Sequence, residues 1–323
     1  MGAGVIILRF MNILTNTLYY IYYFRKHSDA YFTFTIKNHS LRFLRAPAST
    51  TRYVFTLLLP MSHPTPAERF FFDNNGYLVL DRFLPEDMVH QQLEALKRVA
   101  SHRRDLEEKS IPHTGMTQLN NENTRIFYIL DDDPLFLDMV DHPAIWPYVT
   151  GLFNEHPHHH ASDAIMEYGP QGRSMGWHID GHDNGYRNLG TPIPFLQLKI
   201  GYYLSDMTQP GQGNLCVVPG SHKAQYEPPP EDLTRTDLFP GARPICGQPG
   251  TAILFHNALW HSHGPWTKDD GARIMLYYAY EHPWMMASQE HWGYPKAFYD
   301  RLSPERHALF HGFLFDPPEH RWR

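Results

Sequence analysis

Between residues 164 and 281 the chain falls into short apolar runs separated by glycine and proline: AIMEYG, MGWHID, FLQLKIGYYLS, GNLCVVPGS, TAILFHNALWH and RIMLYYAYE. Six such runs with turn residues between them predict the strands of an antiparallel barrel or jelly roll. Upstream the period changes. Thr65 to Asp73 reads as a short helix, Asn75-Gly76 as a turn, and YLVLDRF alternates as a strand. Pro85-Glu86-Asp87 opens a second helix, with proline in the first turn and acids near the positive end of the dipole. Leu93, Leu96 and Ala100 follow at helical spacing. A further helix is expected over Pro134 to Phe153, and Ser303-Pro304-Glu305 restarts one in the tail. HPHHH (156–160) and EPPPED (227–232) read as loops, as does Asp131-Asp132-Asp133. The expected class is mainly β with flanking helices.

Composition supports that class and narrows the partners. Aromatic residues at 14% and 27 prolines suit a β-rich, loop-rich domain more than a helical bundle. Residues 1–60 hold seven basic side chains and one acid, Asp29, whereas the remainder holds 21 basic and 33 acidic residues. A body this acidic is a poor match to a phosphate backbone, so nucleic acid is not the expected partner. The apolar stretch MNILTNTLYYIYYF is 14 residues long, short of the ~20 needed to span a bilayer. No small-residue cleavage signal follows it directly. Residues 1–60 are therefore an uncertain N-terminal extension: sequence upstream of a true start at Met61, a targeting or anchoring segment, or real structure. The first of these readings is favoured. Residues 61–323 are expected to form one domain with no membrane association. Two cysteines, Cys216 and Cys246, without a CxxC pair imply no disulfide framework and a reducing, cytoplasmic setting.

Candidate chemistry begins at GWHIDG (176–181). In an extended segment alternate side chains share a face, so His178 and Asp180 point one way and Ile179 the other. That supplies two of the three ligands of a facial triad for Fe(II), which leaves coordination positions open. In a chain with 22 histidines the pair alone means little, and His27-Ser28-Asp29 repeats it. Downstream, ILFHNALWHSHGPW offers His256, His261 and His263 as the third ligand. Arg273 lies in the next predicted strand, and a guanidinium can hold the far carboxylate of a metal-chelating oxo-acid.

From about Pro66 to Tyr280 the sequence resembles the phytanoyl-CoA dioxygenase family of Fe(II)/2-oxoglutarate oxygenases. Three stretches carry the likeness: WHIDG (177–181), GNLCVVPGSHK (213–223) and PGTAILFHNALWHSHGP with the later arginine (249–273). The opening NNGYLVLDRFLPED fits the family's N-terminal helix and strand. The resemblance implies a double-stranded β-helix, a jelly-roll or cupin-like barrel. It implies metal ligands His178, Asp180 and His261, with His263 as the alternate because it shares a strand face with His261. It implies Fe(II), 2-oxoglutarate and O2 as cofactors, with Arg273 on the 2-oxoglutarate C5 carboxylate and Arg125 as a basic residue nearby. Gln197 and Lys199 share one face of FLQLKIGYY, where either can reach a carboxylate if that face looks inward; a lysine so placed must be paired. One departure is Trp266, where the family often has asparagine.

The implied activity is hydroxylation of a small molecule coupled to decarboxylation of 2-oxoglutarate. Asp180 favours that outcome, since related halogenases carry a small residue in its place. Another cupin-type metalloenzyme and a non-catalytic ligand-binding barrel are the alternatives. Residues 182–194 are expected to form a substrate-contacting lid, and Trp177, Tyr168, Tyr186, Tyr203 and Trp260 either line the pocket or pack the core. No cluster of basic residues for the phosphates of an acyl-CoA is evident.

Overall fold

The computed structural model describes residues 5–12, 17–26, 29–36, 39–42, 63–111, 117–120, 123–169, 176–181, 186–235, 237–267, 271–285, 294 and 296–310. The chain divides into two units, residues 1–60 and 61–323. In the first, β1 (Val5–Asn12), β2 (Thr17–Lys26), β3 (Asp29–Ile36) and β4 (His39–Arg42) pair in sequential antiparallel order. The runs LYYIYYF and YFTFTI are the aromatic and β-branched composition that a pleated ribbon favours. The histidine of the His27-Ser28-Asp29 pair lies outside the described residues.

The second unit opens with α1 (Pro66–Asn75), whose start is closed by a reciprocal cap: the Thr65 hydroxyl accepts from the Glu68 amide, and the Glu68 carboxylate accepts from the Thr65 amide. Gly76 ends it in the left-handed region, and β5 (Tyr77–Leu80) follows. The strand stops there because Arg82 turns left-handed, so the YLVLDRF run is only half strand. The long helix α2 (Glu86–Glu108) buries Leu96 and Ala100, as its spacing predicts. After the hairpin of β6 (Thr117–Asn120) and β7 (Asn123–Phe127), the helix expected over Pro134 to Phe153 proves to be two: α3 (Pro134–Leu137) and α4 (Trp146–Phe153). Pro143 has no amide to donate and disfavours a helical residue before it, which breaks the run.

The remaining strands are β8 (His158–Tyr168), β9 (Gln197–Tyr203), β10 (Leu215–Val217), β11 (Arg243–Pro244), β12 (Ala252–His256), β13 (His261–His263) and β14 (Ala272–Glu281). They form a seven-stranded sheet in the order β5-β12-β9-β14-β8-β7-β6 and a three-stranded sheet in the order β11-β10-β13. Every pairing is antiparallel, and the architecture is a double-stranded β-helix. The single run TAILFHNALWH is divided between the two sheets by the turn at 257–260. MGWHID is not a full strand. His178 makes an isolated bridge to His261, and the left-handed Gly176 and Gly181 limit the extended stretch between them. In the tail, Ser303 caps α7 (Pro304–His307), accepting from the Arg306 amide, after the short α5 (Pro230–Leu233) and α6 (Lys296–Tyr299).

Alternation along β14 separates two apolar layers. Ile274, Leu276, Tyr278 and Tyr280 pack with Leu96 of α2 and Phe136 of α3 on the helix-covered face. Met275 and Tyr277 face the other way, with Tyr203, Phe255, Leu215 and Val217 between the sheets. A third cluster, with Trp177, Ile179, Cys216 and Trp260, backs the segment that carries His178 and Asp180. Tyr278 and Tyr280 donate their hydroxyls to the Phe136 and Val140 carbonyls at 2.9 and 2.7 Å, which ties the helical cover to the sheet.

Candidate metal and oxo-acid centre

The bridge between His178 and His261 is built from two backbone hydrogen bonds of 3.1 and 3.0 Å, which set the imidazole centroids 4.3 Å apart. The Asp180 amide then donates to the Asn257 carbonyl at 2.8 Å and fixes the carboxylate beside them. Each histidine ring lies with Nδ1 2.8 Å from a carbonyl, Gly176 for His178 and Leu259 for His261. A carbonyl can only accept, so Nδ1 carries a proton in both rings and Nε2 is the nitrogen placed to ligate. One donor atom from each of His178, Asp180 and His261 lies within 4.8 Å of the others. The second Asp180 carboxylate oxygen is buried without a hydrogen-bond partner. Two imidazoles, a carboxylate with an unsatisfied oxygen and this spacing fit a divalent transition metal.

Electrostatics keep Asp180 and His261 in their metal-binding forms. Burial opposes ionisation of Asp180, yet Lys199, His261 and His178 outweigh it and hold the carboxyl down at about 2. Burial, reinforced by His178, pushes His261 down to about 3. Lys199 Nζ stands 3.4 Å from Asp180 Oδ1, so this lysine is paired, as its inward position requires.

A cavity of ≈ 260 Å³ adjoins the cluster, its wall including His178, His261, Lys199, Tyr277, Arg273 and Arg125. Arg273 is 4% exposed; its Nη1 donates to Glu167 at 2.8 Å and its Nη2 to the Tyr277 hydroxyl at 2.9 Å. Arg125 pairs with Asp163 at 3.0 Å, lies over the Phe127 ring and is more exposed. Gln197 does not line this cavity. It is buried toward the far end of β9, opposite Glu281, because residues two apart along a strand are ~6.6 Å apart. His263 lines the cavity, but its Nδ1 is 3.2 Å from the Gly264 carbonyl and it is not in the donor cluster. His256 is turned away against His222, its Nδ1 accepting from the Ala258 amide.

Several sequence expectations need correction. HPHHH is a loop only at His156 and Pro157. His158, His159 and His160 begin β8 and are buried, and Glu281 lies between His158 Nε2 at 2.7 Å and His160 Nδ1 at 2.9 Å. The partner sits 121 residues or more away in sequence, so only the absence of a turn residue between His158 and Ala161 could have signalled a strand. Asp131, Asp132 and Asp133 are not a solvated loop either: Asp132 grips the buried Arg103 through both oxygens, Asp133 caps α3 and Asp131 meets Arg301. Glu167, facing Arg273, was not foreseen; it is an acid inside AIMEYG at a position of the same parity as Asp163. Trp177 and Trp260 pack behind the site, and Tyr203 is fully buried between the sheets. Tyr186 is buried and packs on Gly181, whereas Tyr168 is exposed. Of the expected lid, residues 182–185 lie outside the described residues, and Tyr186–Leu189 forms one helical turn.

Comparison with known proteins agrees with this architecture. The chain is 26% identical over 196 residues to dioxygenase af480 of Aspergillus fumigatus, a match spanning 59% of this chain and 59% of that relative, so less than two thirds of the relative is represented. Among solved structures, it resembles EctD from S. alaskensis with 2-oxoglutarate and 5-hydroxyectoine, at 21% identity and a TM-score of 0.55, over 77% of this chain and 88% of that one. It also resembles HygX from Streptomyces hygroscopicus with nickel and 2-oxoglutarate, at 19% identity and a TM-score of 0.51, over 69% and 88% of the two chains. These likenesses concern the fold. Phytanoyl-CoA dioxygenase (PhyH) matches over residues 72–274, well over half of the sequence. The chain therefore belongs to the phytanoyl-CoA dioxygenase family of iron- and 2-oxoglutarate-dependent oxygenases.

Proposed function

We propose that residues 61–323 form a dioxygenase that oxidises a small molecule while converting 2-oxoglutarate to succinate and CO2. The observation that carries this reading is the convergence of His178, Asp180 and His261 beside a cavity whose wall includes the buried Arg273. Iron(II) held there supplies the activation of O2 that couples decarboxylation of the oxo-acid to oxidation of the substrate. The chain's own residues do the rest. His178, Asp180 and His261 hold the metal, and the Gly176 and Leu259 carbonyls keep both imidazoles in the ligating tautomer. Arg273 anchors the C5 carboxylate, and Lys199 and Arg125 contribute positive charge along the same wall. Phe255 and Leu215 exclude water from the apolar side.

EctD has been solved with 5-hydroxyectoine and HygX with hygromycin B, which supports a small molecule as substrate here. Among the described residues no helix is long and apolar enough to cross a membrane. Both cysteines are free, which supports a reducing compartment such as the cytoplasm. Succinate should form only when Fe(II), 2-oxoglutarate and O2 are all supplied, and His178→Ala should abolish it. Equal succinate from the variant would refute the assignment.

A further inference from the structure

The subsite assigned to the far carboxylate of 2-oxoglutarate already holds a carboxylate of the protein. Arg273 and Glu167 are directly opposed in the register of β14 and β8, so strand pairing itself sets them face to face. Both line the cavity, and both are buried, at 4% and 7% exposure. Glu167 takes Nη1 of the guanidinium at 2.8 Å, the Tyr277 hydroxyl takes Nη2 at 2.9 Å, and Nε is buried without a hydrogen-bond partner. The other cavity cations also have acids, Asp163 for Arg125 and Asp180 for Lys199, but at 39% and 17% side-chain exposure these are wetter than Arg273 at 5%.

A cation this buried is costly without a counter-charge, and Glu167 provides one while the subsite is open. The same acid then opposes the ligand. A C5 carboxylate arriving at Arg273 comes close to a second carboxylate in a low-dielectric pocket, where like charges repel strongly. We propose that Glu167 is a built-in competitor for Arg273 that sets the affinity for 2-oxoglutarate and limits discrimination against 2-oxo acids lacking the distal carboxylate. This rests on the reading of Arg273 as the co-substrate anchor. The incoming carboxylate must share the guanidinium through Nε and Nη2 or displace Glu167 from Nη1. A monocarboxylic oxo-acid meets no such opposition.

Glu167→Gln keeps the shape and the acceptor oxygen but removes the charge. Binding can be followed by calorimetry on the full chain loaded with Ni(II), which avoids turnover. The expected result is a dissociation constant for 2-oxoglutarate lower by roughly tenfold or more. The change for 2-oxobutyrate, which lacks the distal carboxylate, should be small, so the ratio between the two acids widens. Glu167→Asp, which withdraws the acid by one methylene, should tighten binding in the same sense but less, and it decides the question if the glutamine variant does not fold. Unchanged or weaker binding in these variants, with binding lost in Arg273→Ala, overturns the competitor role alone. Unchanged 2-oxoglutarate binding in Arg273→Ala overturns the reading of Arg273 beneath it.

Discussion

Replacing Gly181 by alanine should damage the metal centre for two separable reasons. Gly181 has φ +74°, and a Cβ built there would stand 2.0 Å from Cδ2 of Tyr186. Holding an L residue in the left-handed region costs about 1–2 kcal/mol. Forcing a buried aromatic ring aside costs about 1–3 kcal/mol. Restriction of the unfolded chain by the added methyl returns about 0.4–1 kcal/mol. The net loss of unfolding free energy should be about 1–5 kcal/mol. Gly190 provides the control: its φ is +94°, yet nothing lies within 4 Å of its Cβ position. Gly190→Ala should therefore carry the backbone cost and the offset without the clash, a net of about 0–2 kcal/mol. Urea unfolding of both variants measures the difference, about 1–3 kcal/mol, which is the cost of moving Tyr186. Because Gly181 follows Asp180 directly, Gly181→Ala should also weaken Co(II) binding by about 10–100-fold, the scale seen when the supports of metal ligands are disturbed. Equal destabilisation in the two variants, with metal affinity unchanged in both, would refute this account of the turn.

Other outcomes follow from the ion pairs. Burial raises the Glu281 carboxyl, but the hydrogen-bonded His158 ring and the His160 ring 2.9 Å away outweigh this and bring it to about 2 from an ordinary 4.5. A folded-state value below the unfolded one gives stability that is complete above about pH 4.5 and is lost as pH falls toward about 2. Glu281→Gln should flatten that acid limb in urea unfolding across pH 2–5; a limb as steep as the parent's would contradict the assignment. Arg103, 2% exposed, meets both Asp132 oxygens at 3.0 and 2.9 Å. Arg103→Ala removes a buried guanidinium from the partly buried Asp132 carboxylate and should cost about 1–3 kcal/mol by urea denaturation, and a loss under 1 kcal/mol would show the pair to be dispensable.

How much of this was legible in the sequence depended on how local the determining interaction was. The strands β9, β12 and β14 stood out because their apolar runs are bounded by turn residues, and α2 because Leu96 and Ala100 repeat at helical spacing. The side-by-side placement of His178 and His261 was legible only through the family resemblance, since an isolated bridge between distant segments creates it. The histidine run at 158–160 was misread because polarity suggested solvent, whereas His158 and His160 meet Glu281 at the end of another strand. Glu167 escaped for the same reason: its meaning depends on the register that sets it opposite Arg273. Lys199 was constrained in advance, because an inward lysine must have a counter-ion, but only the fold identifies Asp180 as that acid. The helix over 134–153 failed on a local point, the weight given to Pro143.

The most direct test of the central claim is equilibrium binding of Co(II) to the full chain and to single alanine variants of His178, Asp180, His261 and His263. The account expects one ion per chain, lost or greatly weakened in the first three variants and retained in His263→Ala. Tight binding that survives His261→Ala, or disappears in His263→Ala, would contradict it.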